Sequence, residues 1–132
     1  MEEDKVYEFL YDSITENGGP QLNTSRVGKY ESKKLVRGMN LIKFFERQNI
    51  DFNKISFIKL DTEGYDMKIL QSIDEIIGKV RPTIQIEWFH YTQDDILSFI
   101  TKYNYHTVDC RDEQEYKSLP PKWTDDLLLI PN

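Results

Sequence analysis

The stretch that most restricts the fold of this chain is Ile55–Leu70, ISFIKLDTEGYDMKIL. Ile55, Phe57, Ile58 and Leu60 read as a buried strand. The strand stops on Asp61-Thr62-Glu63-Gly64, and Met67, Leu70 and Ile73 follow at helical spacing. A strand that hands over to a helix through two acids and a glycine is a join used by open α/β sheets. Ligands in such sheets lie outside the carboxyl ends of the strands. Asp61 and Glu63 are therefore the first candidates for chemistry.

The flanking residues extend the pattern. Lys5–Asp12 reads as a strand, Asn17-Gly18-Gly19-Pro20 as a turn, Gln21–Lys33 as a flexible loop and Lys34–Arg37 as a short strand. Asn40 is placed to cap a helix through Gln48, with Leu41, Phe44 and Phe45 inward. The strand Ile55–Asp61 follows. A single helix is expected over Tyr65–Ile77, ending at Gly78 in a left-handed cap. Pro82 opens the strand Thr83–Trp88, and Thr92-Gln93-Asp94-Asp95 resembles a capping box for a helix that ends at Asn104. Tyr105–Cys110 and Asp126–Ile130 read as the last strands, joined by the polar segment Arg111–Thr124. Alternation of helix and strand from Asn40 predicts an α/β fold with a mainly parallel sheet flanked by helices. The last connection has no helical pattern, so the final strand is expected to be antiparallel.

Bulk properties narrow the function. The 132 residues suit one domain with a real core. A net charge of −6 argues against nucleic acid, whose phosphates need clustered Lys and Arg. The basic run Ser32–Arg37 reads as a solvated loop entering a strand. Cys110 is the one cysteine, so a cytoplasmic setting without disulfides is expected, and a nucleophilic role is not. No apolar run has the length of a membrane span. The two histidines and Cys110 show no metal-ligand spacing.

Three acids fall at strand ends: Asp61, Glu63 and Glu87. If their strands are neighbours, the carboxylates share one rim of the sheet. There they can bind a cation, accept hydrogen bonds from a hydroxyl or ammonium, or serve as a general base. Mg²⁺ or Ca²⁺ bound by these acids is a weaker reading, because their spacing is not distinctive. His90, three residues beyond Glu87, could reach the same rim. The plainer alternatives are helix-end electrostatics for Asp61 and Glu63, a solvated strand end for Glu87 and an ordinary loop residue at His90. Gly64 permits a close backbone approach to a ligand, a positive φ, or tight packing of the turn. Lys59 inside the strand calls for an open face or an acidic partner. Trp88-Phe89-His90-Tyr91 can stack on a planar ligand or roof a small core. The chain contains no Gly-x-Gly-x-x-Gly, no phosphate-binding Gly-Lys-Ser/Thr loop and no Gly-x-Ser-x-Gly.

Phe57-Ile58-Lys59-Leu60-Asp61-Thr62-Glu63-Gly64-Tyr65-Asp66, with Ile69-Leu70, resembles the signature of FkbM-type methyltransferases. Asn40–Phe45 is similar to the family's T-L-D-D-F-L helix start, Asn17–Gly19 to its glycine-containing loop, and Arg81-Pro82 with Ile86-Glu87 to its R-P strand. The resemblance implies an S-adenosylmethionine-dependent O-methyltransferase acting on a small or sugar hydroxyl. It implies a partial Rossmann-like sheet, with residues 1–132 forming the second half of a class I methyltransferase fold. Asp61 and Gly64 would lie on the cofactor side, and Asp61, Glu63, Glu87 and His90 on the catalytic, acceptor side. The family's D-x-G-A-N-x-G motif and the acid after its second strand are not in this chain. Ile42, Lys43 and Ser72 depart from its usual residues. The resemblance thus implies a truncated domain, whose open sheet edge a homodimer or a partner chain would cover. The alternative function is a non-catalytic binding or assembly module derived from the same fold.

Overall fold

A computed structural model describes residues 6–11, 21–22 and 32–132. Three strands, β1 (Val6–Tyr11), β2 (Gln21–Leu22) and β3 (Ser32–Arg37), form an antiparallel sheet in the order β2-β1-β3. Strand β3 contains the expected short strand Lys34–Arg37 and begins two residues earlier, at Ser32, within the segment read as a loop. The turn and the family loop expected at Asn17–Pro20 lie outside the described residues.

Helix α1 (Leu41–Arg47) begins where Asn40 was expected to cap it. The Asn40 side chain accepts hydrogen bonds from the Ile42 and Lys43 amides at 3.0 and 3.2 Å. Leu41 and Phe45 face the core, but Phe44 is exposed. A short 3₁₀ turn, Phe52–Lys54, leads into β4 (Phe57–Lys59).

The expected single helix after the acid corner is two: α2 (Asp66–Ser72) and α3 (Asp74–Val80). The break is at Ile73, whose ψ of 27 leaves helical geometry, while Asp74 and Glu75 place acids at the new positive end. Gly78 lies inside α3, and the left-handed cap is Arg81 at φ 51. Pro82 stops the helix here, since it disfavours the right-handed α region for the residue before it, and the Arg81 amide closes the left-handed turn on the Ile77 carbonyl. The Arg81 guanidinium donates to the carbonyls of Tyr103, Asn104 and Asn132, which ties the end of α3 to two segments distant in sequence.

Strand β5 (Thr83–Glu87) is followed by a 3₁₀ turn, His90–Thr92, and helix α4 (Gln93–Tyr103). The Thr92 side chain does not cap α4. It bonds the backbone of Phe89 instead. Asn104, at φ 55, supplies the expected left-handed end. Strands β6 (Tyr105–Asp109), β7 (Glu115–Tyr116) and β8 (Asp126–Pro131) complete the chain.

The second sheet has the order β4-β5-β8-β6-β7. It is mixed, not mainly parallel as expected. Only β4 and β5 pair in parallel, and β8 inserts antiparallel between β5 and β6. The reason is the helix-free connection after β6: without a crossover, the chain returns antiparallel. Directly paired residues share a face, so Ile58, Ile84, Leu129 and Thr107 form one row, and Ile86, Leu127 and Asp109 another. Onto this face pack Met67, Leu70, Ile73, Ile76 and Ile77 from the α2–α3 segment, with Ile96, Phe99 and Ile100 from α4. Each buried aliphatic side chain contributes about 1.5–3 kcal/mol. The opposite face, with Phe57, Thr83, Gln85 and Leu128, is less enclosed. Among the described residues the outer edge of β4 is unpaired, and Phe57 on it is 50% exposed.

Candidate functional site

β4 and β5 are parallel neighbours, so their carboxyl ends lie at one rim. The pairing register continues past β4, where the Leu60 amide donates to the Gln85 carbonyl at 2.9 Å. The chain then turns sharply through 61–64. Glu63 has φ 53 and Gly64 φ 96. The left-handed region costs a non-glycine residue about 1–2 kcal/mol. Gly64 also leaves room for a neighbour: the space a side chain would take there is filled by the Tyr91 hydroxyl. Of the readings open for Gly64, positive φ and tight packing both describe it.

The turn brings the sequence candidates together. One carboxylate oxygen from each of Asp61, Glu63 and Glu87 lies within 4.8 Å of the others. Asp61 is exposed, and its Oδ2 lies 3.6 Å from Lys59 Nζ. Lys59 therefore has both an open face and an acidic partner, an exposed pair worth at most about 1 kcal/mol. Glu87 is half-buried, and its Oε2 is shielded from solvent without a hydrogen-bond partner among the described residues. Burial is the main cause that pushes its carboxyl from 4.5 up to about 7, and the negative charges of Glu63, Asp61, Asp66 and Asp126 add to it. A carboxyl that titrates near neutrality can take a proton from a ligand or give one back.

His90 does not join the three acids. It is exposed, and its ring stacks on Trp123 at 5.8 Å between centroids. Trp123 is held at the rim by its Nε1, which donates to the Trp88 carbonyl at 2.7 Å. The aromatic run divides by position. Trp88 is in the core, while Tyr91 is 57% exposed and stacks on Phe89 at 5.3 Å. The rim thus combines acids with exposed aromatic faces, a surface suited to polar rings.

Two contributors were not singled out from the sequence. Trp123 sits in a segment read only as polar loop, and no local signal links it to Glu87. Asp66 stands in the sequence only as the acid that follows Gly64-Tyr65 in the family signature, with no role attached to it. In the structure it is buried and accepts hydrogen bonds from both Thr62 and Glu87. Further along the rim, buried Asp109 at the end of β6 accepts from the Arg111 amide and guanidinium and from the Thr124 hydroxyl. These bonds, the Arg111 side chain first, hold its carboxyl down at about 2. It is a structural anchor for the loop before β8. Among the described residues no helix is long and apolar enough to cross a membrane.

The model of the methyltransferase FkbM domain matches residues 2–107, which include the acid corner, β5 and α4. No curated protein matches the chain. No solved structure matches it.

Proposed function

The chain belongs to the FkbM methyltransferase domain family, and from that premise we propose that it serves O-methylation of a small or sugar hydroxyl. The observation that carries this reading is the convergence of Asp61, Glu63 and Glu87 at the carboxyl ends of two parallel strands. Carboxylates at that separation can accept hydrogen bonds from adjacent hydroxyls of one acceptor. Tyr91 and Trp123 offer exposed ring faces on which the apolar side of a sugar would rest.

In this reading Glu87 receives the proton of the acceptor hydroxyl, since it titrates near neutrality in its shielded position. Asp61 and Glu63 orient the acceptor, and His90 flanks it from the Trp123 side. Orientation supplies much of the rate enhancement in such transfers. S-adenosylmethionine, when bound, supplies the activated methyl group. The corner fits the charged end of that cofactor, because Asp61 presents an exposed carboxylate there. Asp61 would face its methionine end, with the Gly64 bend beside it. We set the reaction in the cytoplasm, on the support of a single cysteine. We also place a contact between two copies on the outer edge of β4, where a strand unpaired among the described residues and an exposed Phe57 would both be covered.

The test is transfer of radiolabelled methyl from S-adenosylmethionine to a panel of neutral and amino sugars. Transfer to one of them, reduced about 100-fold or more in Glu87→Gln, is the expected result. Transfer that is unchanged in Glu87→Gln would remove Glu87 from this role. Failure to transfer to any acceptor would end the enzymatic reading of this chain.

A further inference from the structure

The acid rim is assembled from two segments that are distant in sequence, and one side chain joins them. Asp66, the first residue of α2, is 1% exposed. Its Oδ1 accepts the Thr62 amide at 3.0 Å and also the Thr62 hydroxyl. Its Oδ2 accepts the Glu87 amide at 2.9 Å. A buried carboxylate is costly unless its oxygens are satisfied, and here both are. An acid that served only the positive end of α2 would use donors of that turn. Asp66 instead reaches the last residue of β5.

We infer that Asp66 is a positioning residue, a latch that holds the 61–64 corner against the end of β5 and so sets the distance of Asp61 and Glu63 from Glu87. The inference rests on the reading of that rim as the acceptor site. With the latch intact, Asp61 and Glu63 face Glu87 from the corner, Asp66 from α2 and Asp126 from the start of β8. Lys59, beside Asp61, is the cation of β4 at this rim. With the latch broken, the corner keeps the Leu60–Gln85 bond at its start and the Tyr91 contact at Gly64, but Asp61 and Glu63 move away from Glu87.

The experiment is a ¹³C NMR titration of the Glu87 carboxyl in the full chain, with melting temperature measured alongside. Asp66→Asn keeps the shape and removes the charge. Asp66→Glu keeps the charge and misplaces it by one methylene. A latch predicts that both variants lower the Glu87 midpoint by about one pH unit or more. Thr62→Val retains the Asp66 charge, deletes one donor and lowers the midpoint by less, which gives a readout if the Asp66 variants do not fold. Ile77→Val, in the core, should lower the melting temperature and leave Glu87 unchanged. A folded Asp66→Glu protein in which Glu87 titrates as in the parent overturns the latch. Methyl transfer is not read here, so absence of transfer alongside a shifted Glu87 would defeat the enzymatic reading and still support the latch.

Discussion

Replacing Glu87 by Gln should stabilise the protein, by an amount that grows as pH rises from about 4.5 and is complete above about 7. The folded chain holds the Glu87 proton up to about pH 7, whereas the unfolded chain releases it near 4.5. Between those values the native state binds more protons than the unfolded state. Stability contributed by this group is therefore full below 4.5, declines as pH rises through the window, and is level above about 7. At about 1.4 kcal/mol per pH unit, the interval sets a ceiling of about 3 kcal/mol. Glu87 is only half-buried, and water and salt reach its neighbours, so about 1–2 kcal/mol is the expected effect. Gln keeps the shape without the charge. Thermal melts of parent and variant at pH 4.0 and 8.5 provide the assay. The two should coincide at the lower pH, with the variant melting about 5 °C higher at the upper one. A difference of the same size at both values would refute an ionisation effect. A parent that is the more stable protein at pH 8.5 would show that the Glu87 charge is welcomed, not opposed, by its surroundings.

Asp109→Ala should cost about 2 kcal/mol in urea unfolding, because it leaves the buried Thr124 hydroxyl without its acceptor and releases the Arg111 amide and its exposed guanidinium. The sign of its pH dependence is opposite to that of Glu87: the stability from ionised Asp109 is present above about 3.8 and lost as pH falls through about 2. An Asp109→Asn protein that loses no more stability than a surface variant would contradict this. Gly64→Ala should cost about 2–3 kcal/mol, since φ is 96 and the Tyr91 hydroxyl occupies the site. Removing the ring in Tyr91→Ala should recover part of the loss in a double-mutant cycle, and strict additivity would rule out the contact. If copies pair along β4, light scattering should show a concentration-dependent dimer that Phe57→Lys abolishes. A monomer at every concentration would remove that contact.

Much of the framework was legible in the residues because its signals are local. Asn40 caps α1 through its own side chain, and Asn104 ends α4 in the left-handed region it tolerates. The corner at 61–64 appears at the end of a strand because its acids and glycine interrupt one period and precede another. The break at Ile73 was not legible, since Met67, Leu70, Ile73 and Ile77 keep helical spacing across it. Only backbone geometry separates one helix from two. The left-handed cap at Arg81 was misplaced to Gly78 because glycine is the commoner choice, whereas here Pro82 and three carbonyl acceptors determine the site.

From the residues alone came an α/β chain whose chemistry belongs at the end of the strand leading to Asp61, because hydrophobic period and turn residues act over a few neighbours. Tertiary structure decided the rest. It inserted β8 between β5 and β6 and made the sheet mixed. It brought Glu87 beside Asp61 and Glu63, carried Trp123 to His90, and turned Asp66 from a helix-end acid into a link between strands. Those outcomes depend on contacts between residues far apart in the chain, whose energies arise only once the chain has folded around a common core.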